Sequence, residues 1–473
     1  MKMLFLAVPK AIFTGKVKPP MFRNPPITFV WLSAFLKQAG HEPEILDGYS
    51  LALTEEEIMA YITTSKPDIV GFTSFTCEYS DICHMAQRVR ELHPKIRIIV
   101  GGYHANTFPE DFFNTAFDFV FSGEAEEGLP RLLTRLDGEK KDLSDISGLH
   151  YRHHDTGTWI SNPQGPYIPN FDHTPMLPYA MILKNDYDPW WTSMNSKEGK
   201  YMATVTGKGC PMQCTFCDIS KTEGPRYRAM SAPRVIQEFA YLYNDLGVTH
   251  VEIRDPYFTV DLKRVAEIAQ GLINQNIKLD WGFSSTIHRI KDLDLLTLLR
   301  RSGCSFIFFG VESGNPAILK REKKVTPDQV IKVIAMTRKA GIYAHCGFIL
   351  GLEGETEQTI QESIDLAIRC RPNAANFTIA VPYPGTEMFN SYKEKNFIKT
   401  YDWKDYRQDY PVFETDHLSR EQLLHWLEIS HRRFFFRPAY IWDRLLQIRS
   451  WKQFKDHARI GLSMFRDTMS YKT

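Results

Sequence analysis

Between Lys2 and Leu136, short apolar and β-branched runs alternate with longer stretches whose apolar positions recur every three or four residues, the pattern of strands and crossover helices in a parallel sheet. It predicts strands at Met3–Val8, Glu44–Asp47, Asp68–Ser74, Ile96–Val100 and Asp118–Phe121. Helices fit near Thr28–Ala39, Glu55–Thr63, Tyr79–Leu92 and Glu110–Asn114, with a last one from Glu126. The expectation is an α/β, five-stranded doubly wound domain over residues 1–140, with its ligand edge at the carboxyl ends of the strands. Residues 141–195 lose the periodicity and gain prolines, so they read as a packed connector. From Tyr201 the alternation resumes, with strands at Met202–Thr206, His250–Ile253, Leu279–Phe283, Ser305–Val311, Ala344–Leu350 and Asn376–Val381. Six βα units over 196–392 predict a partial (β/α)6 barrel of TIM type, followed over 393–473 by a helical C-terminal extension.

Composition narrows the function. The 473 residues carry Lys+Arg 57 against Asp+Glu 56, so no chain-wide basic field gathers nucleic acid. No window approaches the roughly 18 apolar residues that span a bilayer. The run Met3–Val8 is too short for a signal-peptide core and meets Pro9, which favours a first strand and a cytoplasmic protein. Eight cysteines are too sparse for a disulfide framework, and three crowd into Cys210, Cys214 and Cys217.

That C-x3-C-x2-C spacing has a chance count of about 0.002 at this cysteine frequency. Three thiolates on one loop suit a [4Fe–4S] cluster with one iron left open, whereas structural zinc needs a fourth ligand nearby. Cys304, Cys346 and Cys370 read as buried small hydrophobes. The loop follows the first barrel strand and carries Phe216 before its last cysteine, and in this it resembles the radical S-adenosylmethionine (SAM) superfamily. The resemblance implies that SAM chelates the open iron and is cleaved to a 5′-deoxyadenosyl radical. It continues in Gly347-Phe348-Ile349-Leu350-Gly351-Leu352-Glu353-Gly354-Glu355 and in Gly310-Val311-Glu312-Ser313-Gly314. These imply a SAM site built from Phe216, Glu312, Ser313, Gly347, Ile349, Gly351 and Glu355. Arg254-Asp255-Pro256 replaces the family's Gly-Gly-Glu, leaving Asp255 as the partner of the SAM amino group.

The N-terminal domain, flavodoxin-like in its pattern, resembles the cobalamin-binding domains that precede many radical SAM barrels. The likeness lies in Gly101-Gly102-Tyr103-His104-Ala105 and in Asp118-Phe119-Val120-Phe121-Ser122-Gly123-Glu124. It implies a cobalamin site of Ser74, Thr76, Gly101, Gly102, Tyr103, His104, Gly123 and Glu124. Val8-Pro9-Lys10-Ala11-Ile12 stands where a D-x-H-x-x-G motif would supply a cobalt ligand. The whole chain is similar to the branch of the anaerobic magnesium-protoporphyrin monomethyl ester cyclase and P-methylase. Three cofactors follow: a [4Fe–4S] cluster, SAM and cobalamin. The implied function is a methyltransferase for an unactivated carbon or phosphorus centre of a small molecule, served by a reductase such as flavodoxin or ferredoxin. The alternatives are an oxidative cyclase and a non-catalytic cobalamin or iron–sulfur sensor or electron carrier. The basic, aromatic stretch from His431 to Arg459 reads as a solvated face over a packed helix in preference to a membrane contact or a seat for an acidic or tetrapyrrole substrate.

Overall fold

The computed structural model describes residues 1–473 apart from 13–16, 18, 19, 21, 139–141, 154, 155, 189–198, 449, 450, 452, 453, 456, 457 and 459–473. Two compact units emerge, one of Met1–Tyr187 with Asp218–Met230 and one of Asp188–Cys217 with Ser231–Thr473.

In the first unit β1 (Lys2–Ala7), β2 (Glu42–Asp47), β3 (Ile69–Thr73), β4 (Arg97–Gly101) and β5 (Phe119–Phe121) run parallel in the order β2-β1-β3-β4-β5. Crossover helices α1 (Ile27–Gln38), α2 (Glu55–Ser65) and α3 (Tyr79–Leu92) cover the sheet, and α4 (Tyr103–Thr107) and α5 (Gly128–Asp137) follow the later strands. Such a sheet is buried on both faces, which is why Leu4, Val70, Ile98 and Val120 are completely enclosed. A capping box between Thr54 and Glu57 starts α2 where the apolar periodicity begins. Instead of a helix at 110–114, a 3₁₀ turn spans Pro109–Phe112, because the chain turns from β4 into α4 at Gly102 (φ +100) and spends its helical residues earlier.

The five parallel strands are extended by an antiparallel pair, β6 (Leu149–Arg152) and β7 (Trp159–Ser161), drawn from the stretch read as connector. Strands this short show no alternation to read. Trp159 holds them: its ring stacks on Phe113 at 4.3 Å and its indole N–H donates to the Phe113 carbonyl at 2.7 Å.

In the second unit β8 (Lys200–Thr204), β9 (Val248–Ile253), β10 (Asp280–Ser285), β11 (Cys304–Glu312), β12 (Tyr343–Leu350) and β13 (Ala374–Ile379) are parallel and lie in sequence order. Between them come α6 (Ala232–Ala240), α7 (Leu262–Asn274), α8 (Leu293–Arg301), α9 (Pro316–Lys323), α10 (Pro327–Lys339) and α11 (Glu357–Cys370). This is the expected six-stranded partial barrel. Cys304, Cys346 and Cys370 are buried within it. Helices α12 (Glu387–Glu394), α13 (Arg420–Phe435) and α14 (Pro438–Gln447) complete the chain, with Phe434 of α13 buried against Phe377 of β13.

Candidate functional site

The cysteine loop leaves β8 through a clamp. The Thr206 N–H and hydroxyl both donate to Asp255, at 2.6 Å each, and Arg264 donates to the Thr206 hydroxyl at 2.8 Å. Asp255 is almost fully buried, and both its carboxylate oxygens are engaged in holding the start of the loop. The far end is held from α9. The Thr215 N–H and hydroxyl donate to the Glu322 carboxylate at 3.0 and 2.9 Å, and the Thr215 carbonyl accepts from Met388 N–H at 2.9 Å. The Cys217 N–H donates to the Cys214 carbonyl at 3.1 Å, which folds the last two cysteines into one turn.

Lys323, in the last turn of α9, brings a cation against the loop. Its ammonium lies 3.7 Å from Cys214 Sγ, 2.9 Å from Glu312 Oε1 and 5.5 Å from the centre of the Phe216 ring. Burial alone lowers its pKa, but the facing Glu312 carboxylate and then the Cys214 thiol outweigh that and raise it, so the charge persists. Burial likewise pushes the Cys214 thiol up while Lys323 pulls it down. Glu312 carries a left-handed backbone, φ +72, where the β11–β12 register shifts between Gly310 and Glu312. A side chain at position 310 would put its Cβ 2.4 Å from Glu312 Oε1, so the glycine leaves room for the ion pair. Strain held in place by packing is a mark of functional positions. Neither Lys323 nor Glu322 was singled out from the sequence. The available signal was helical spacing: Leu319, Glu322 and Lys323 share one face at i, i+3 and i+4.

The other expected SAM residues gather at the ends of β11 and β12. Ser313 is buried, with its hydroxyl 3.3 Å from Ser363 of α11, and Gly314 N–H donates to the same Ser363 at 2.7 Å. Gly347 is paired in register with Gly310, and Ile349 is half-buried. Gly351 turns the chain at φ +87, donates its N–H to Glu355, and accepts from the Tyr392 hydroxyl at 2.9 Å. Burial pushes the Glu355 carboxyl up to about 8, and its Oε1 has no hydrogen-bond partner among the described residues.

In the first unit the expected cobalamin residues meet at the carboxyl ends of β3, β4 and β5. The Ser74 N–H donates to the Gly101 carbonyl at 2.9 Å and His104 N–H to the Ser74 carbonyl at 3.0 Å. Gly102 is demanded by the backbone itself: a Cβ would sit 2.6 Å from Thr73 Oγ1 and 2.7 Å from Ser74 N. A Cβ on Gly101 meets only Phe121, at 3.7 Å. His104 is buried among Tyr79, Phe108 and Phe112, with Nε2 3.1 Å from Asp111 and Nδ1 3.4 Å from the Thr76 hydroxyl. Desolvation there depresses its pKa against the pull of Asp111. Tyr103 stacks on the exposed Phe75 at 5.2 Å and donates its hydroxyl to Glu223 at 2.6 Å. The Gly123 N–H donates to Asn106 at 2.5 Å, and beside Gly123 a cavity of about 150 Å³ is lined by Ser122, Glu124, Arg131, Gln164 and Tyr167. Glu124 is bound by Arg228 at 2.8 and 3.0 Å and by Ile168 N–H at 2.7 Å.

These residues fit the expected groups. Three soft sulfur donors on one loop beside a lasting positive charge match the ligand chemistry of an iron–sulfur cluster. Among the described residues no three His, Cys, Asp or Glu side chains are grouped to hold a metal ion; a cubane takes each thiolate on a separate iron. The orphaned Glu355 oxygen matches a polar ligand, and Gly101 ends its strand without a side chain at a place where a Cβ would make only ordinary contact with Phe121.

Comparison with known proteins gives two matches to family models, the radical SAM superfamily over residues 204–367 and the B12 binding domain over residues 20–133. An uncharacterized methyltransferase of Pyrococcus horikoshii is 29% identical over 418 residues, covering 88% of each chain. An anaerobic magnesium-protoporphyrin IX monomethyl ester cyclase of Rubrivivax gelatinosus is 28% identical over 427 residues, 88% of this chain and 75% of that one. Among solved structures, the cobalamin-dependent S-adenosylmethionine radical enzyme OxsB, with aqua-cobalamin and S-adenosylmethionine bound, shares the fold at a TM-score of 0.72 and 17% identity, covering 99% of this chain and 71% of that one.

Proposed function

Since this chain is a B12-binding radical SAM protein with a [4Fe–4S] cluster, SAM and cobalamin as its cofactors, we propose that it methylates an unactivated carbon or phosphorus centre of a small molecule. The observation that carries this reading is the presence, in one chain, of a cysteine loop fitted for a radical generator and a glycine edge fitted for a methyl carrier. The likeness over 88% of each chain to an uncharacterized methyltransferase supports it. When bound, the cluster with SAM supplies a 5′-deoxyadenosyl radical and cobalamin supplies a transferable methyl group.

The chain's own residues do the positioning. Cys210, Cys214 and Cys217 would hold the cluster, and Asp255 and Glu322 fix the two ends of their loop through Thr206 and Thr215. Glu312, Ser313, Gly347, Ile349, Gly351 and Glu355 would hold SAM, with Phe216 beside it. Ser74, Thr76, Gly101, Gly102, Tyr103, His104, Gly123 and Glu124 would form the cobalamin edge; the buried His104 would support it through Asp111 and Thr76 and would not bind cobalt. A flavodoxin or ferredoxin would deliver the two electrons that each turnover needs. Eight cysteines in a chain of this length, three of them crowded onto one loop, suit a reducing cytoplasm.

Removing a substrate hydrogen and adding a methyl group in one turnover consumes two SAM molecules. One leaves as S-adenosylhomocysteine, the other as 5′-deoxyadenosine and methionine. Anaerobic turnover of candidate substrates with SAM and reductant therefore gives the two nucleosides in equal amounts, with a product heavier by one methylene. Deoxyadenosine alone, with an unmethylated product, overturns methylation in favour of an oxidative cyclase, the reading that the Rubrivivax likeness favours. A sensor or electron carrier would give neither nucleoside.

A further inference from the structure

The carboxyl ends of the barrel strands carry the cysteine loop and the proposed SAM residues; a separate cavity lies at their amino ends. It holds about 790 Å³, inside the roughly 300–1,000 Å³ of small-molecule sites, and is walled by the starts of β9 and β10, the loop before β11 and the last turns of α7 and α8. None of its residues takes part in the chemistry described above. Its polar lining is graded. Lys278, Arg300 and Arg301 are exposed at the mouth, the first from the loop before β10 and the other two from the last turn of α8. Among the described residues none of these three pairs with a carboxylate. His250 and Asp280 lie deeper, 3% and 7% exposed, with Nε2 and Oδ2 3.8 Å apart and the other ring nitrogen 2.8 Å from the Thr249 hydroxyl. The buried Ile277 adds an apolar wall.

Arginines at the end of α8 would by themselves be explained by the helix carbonyls, whose negative end favours cations. That account does not reach Lys278 on another element, nor an imidazole and a carboxylate, both costly to bury, beside the same cavity. The gradient from mouth to depth selects the occupant and its orientation. Three cations against one carboxylate favour an anion, and two guanidinium forks match phosphate oxygens. Asp280 repels that charge from the depth, so the phosphate stays at the mouth. The depth takes an uncharged part whose hydroxyls donate to Asp280 and bond His250, while its carbons lie on Ile277. Inorganic phosphate alone would leave most of the volume unfilled.

We propose that the amino end of the barrel binds a polyhydroxylated phosphate monoester, with its phosphate at Lys278, Arg300 and Arg301 and its hydroxyls at Asp280 and His250. The inference stands independently of the reaction type. Isothermal titration calorimetry of the full-length, cofactor-loaded protein tests it, with SAM present and reductant withheld so that the site at the carboxyl ends is filled. The probes are ribose 5-phosphate, ribose and inorganic phosphate. Ribose 5-phosphate is expected to bind at least about tenfold more tightly than either fragment, and more weakly as salt is added. The double variant R300E/R301E should lose that binding and keep the parental far-UV circular dichroism, iron–sulfur absorbance and rate of reductive SAM cleavage. Absence of binding by ribose 5-phosphate, or equal binding by the double variant, overturns the proposal. So does either fragment binding as tightly as the ester: inorganic phosphate doing so reduces the cavity to a surface anion site, and ribose doing so removes the phosphate from the mouth.

Discussion

At the scale of single residues, the pattern of the cysteine loop was legible because its three thiols are local in sequence, while the charged groups packed against it were not. Cys210, Cys214 and Cys217 announce themselves by spacing alone. Lys323 sits in an Arg-Glu-Lys-Lys run that any reading of charge assigns to water, and only the packing of α9 turns it inward. Because Lys323 offsets Glu312 and lies against Cys214, K323M should destabilise the second unit by about 3–5 kcal/mol, the cost of leaving a buried charge unpaired. Adding E312Q should recover much of that loss in denaturant melts, and additive losses would show that the two groups do not act as a pair. Glu355 offers a pH test. Its folded carboxyl is pushed up to about 8 from an ordinary 4.5, so the stability contributed by the protonated form is complete below about 4.5 and is lost as pH rises towards 8. E355Q cannot ionise, and in the cofactor-free protein it should gain melting temperature over the parent as pH rises through that window. A difference independent of pH would contradict the burial assigned to this carboxyl.

At the scale of elements, the parallel strands were readable because burial on both faces makes them continuous apolar runs, as in Leu4–Leu6 and Val70–Phe72. Strands β6 and β7 were not, since three or four residues show no period and their hold is the distant Phe113–Trp159 stack. The two glycines after β4 look alike in sequence and differ in structure. Gly102 has a left-handed backbone and no space for a Cβ, so G102L should disrupt the first unit itself, costing about 2–4 kcal/mol through strain and overpacking before any cofactor is considered. Gly101 has ordinary space beside Phe121 and belongs to the proposed cofactor edge alone. G101V should therefore melt within about 1 kcal/mol of the parent and lose cobalamin uptake while retaining the iron–sulfur absorbance. Full cobalamin occupancy in G101V would move the tail elsewhere.

At the scale of the whole molecule, the order of the two α/β units was plain from the rhythm of strands and helices, yet their membership was not. The sequence suggested consecutive domains; the folded chain instead leaves the first unit after Tyr187, returns to it for Asp218–Met230, and leaves again. That return begins at the residue after Cys217 and is fastened by Arg228, which binds the Glu124 carboxylate, donates to the Ile168 carbonyl at 2.8 Å and lies over the Tyr167 ring at 4.7 Å. The chain is therefore stitched, and cutting one thread does not open the seam. A protease site engineered into residues 189–198 should yield two fragments that still co-elute under native conditions and part only in denaturant, because the C-terminal piece keeps its inserted stretch in the N-terminal fold. An exchange of cobalamin modules between relatives would need two splices, one on either side of the cysteine loop, and a graft ending near Tyr187 would leave Glu124 buried without its arginine.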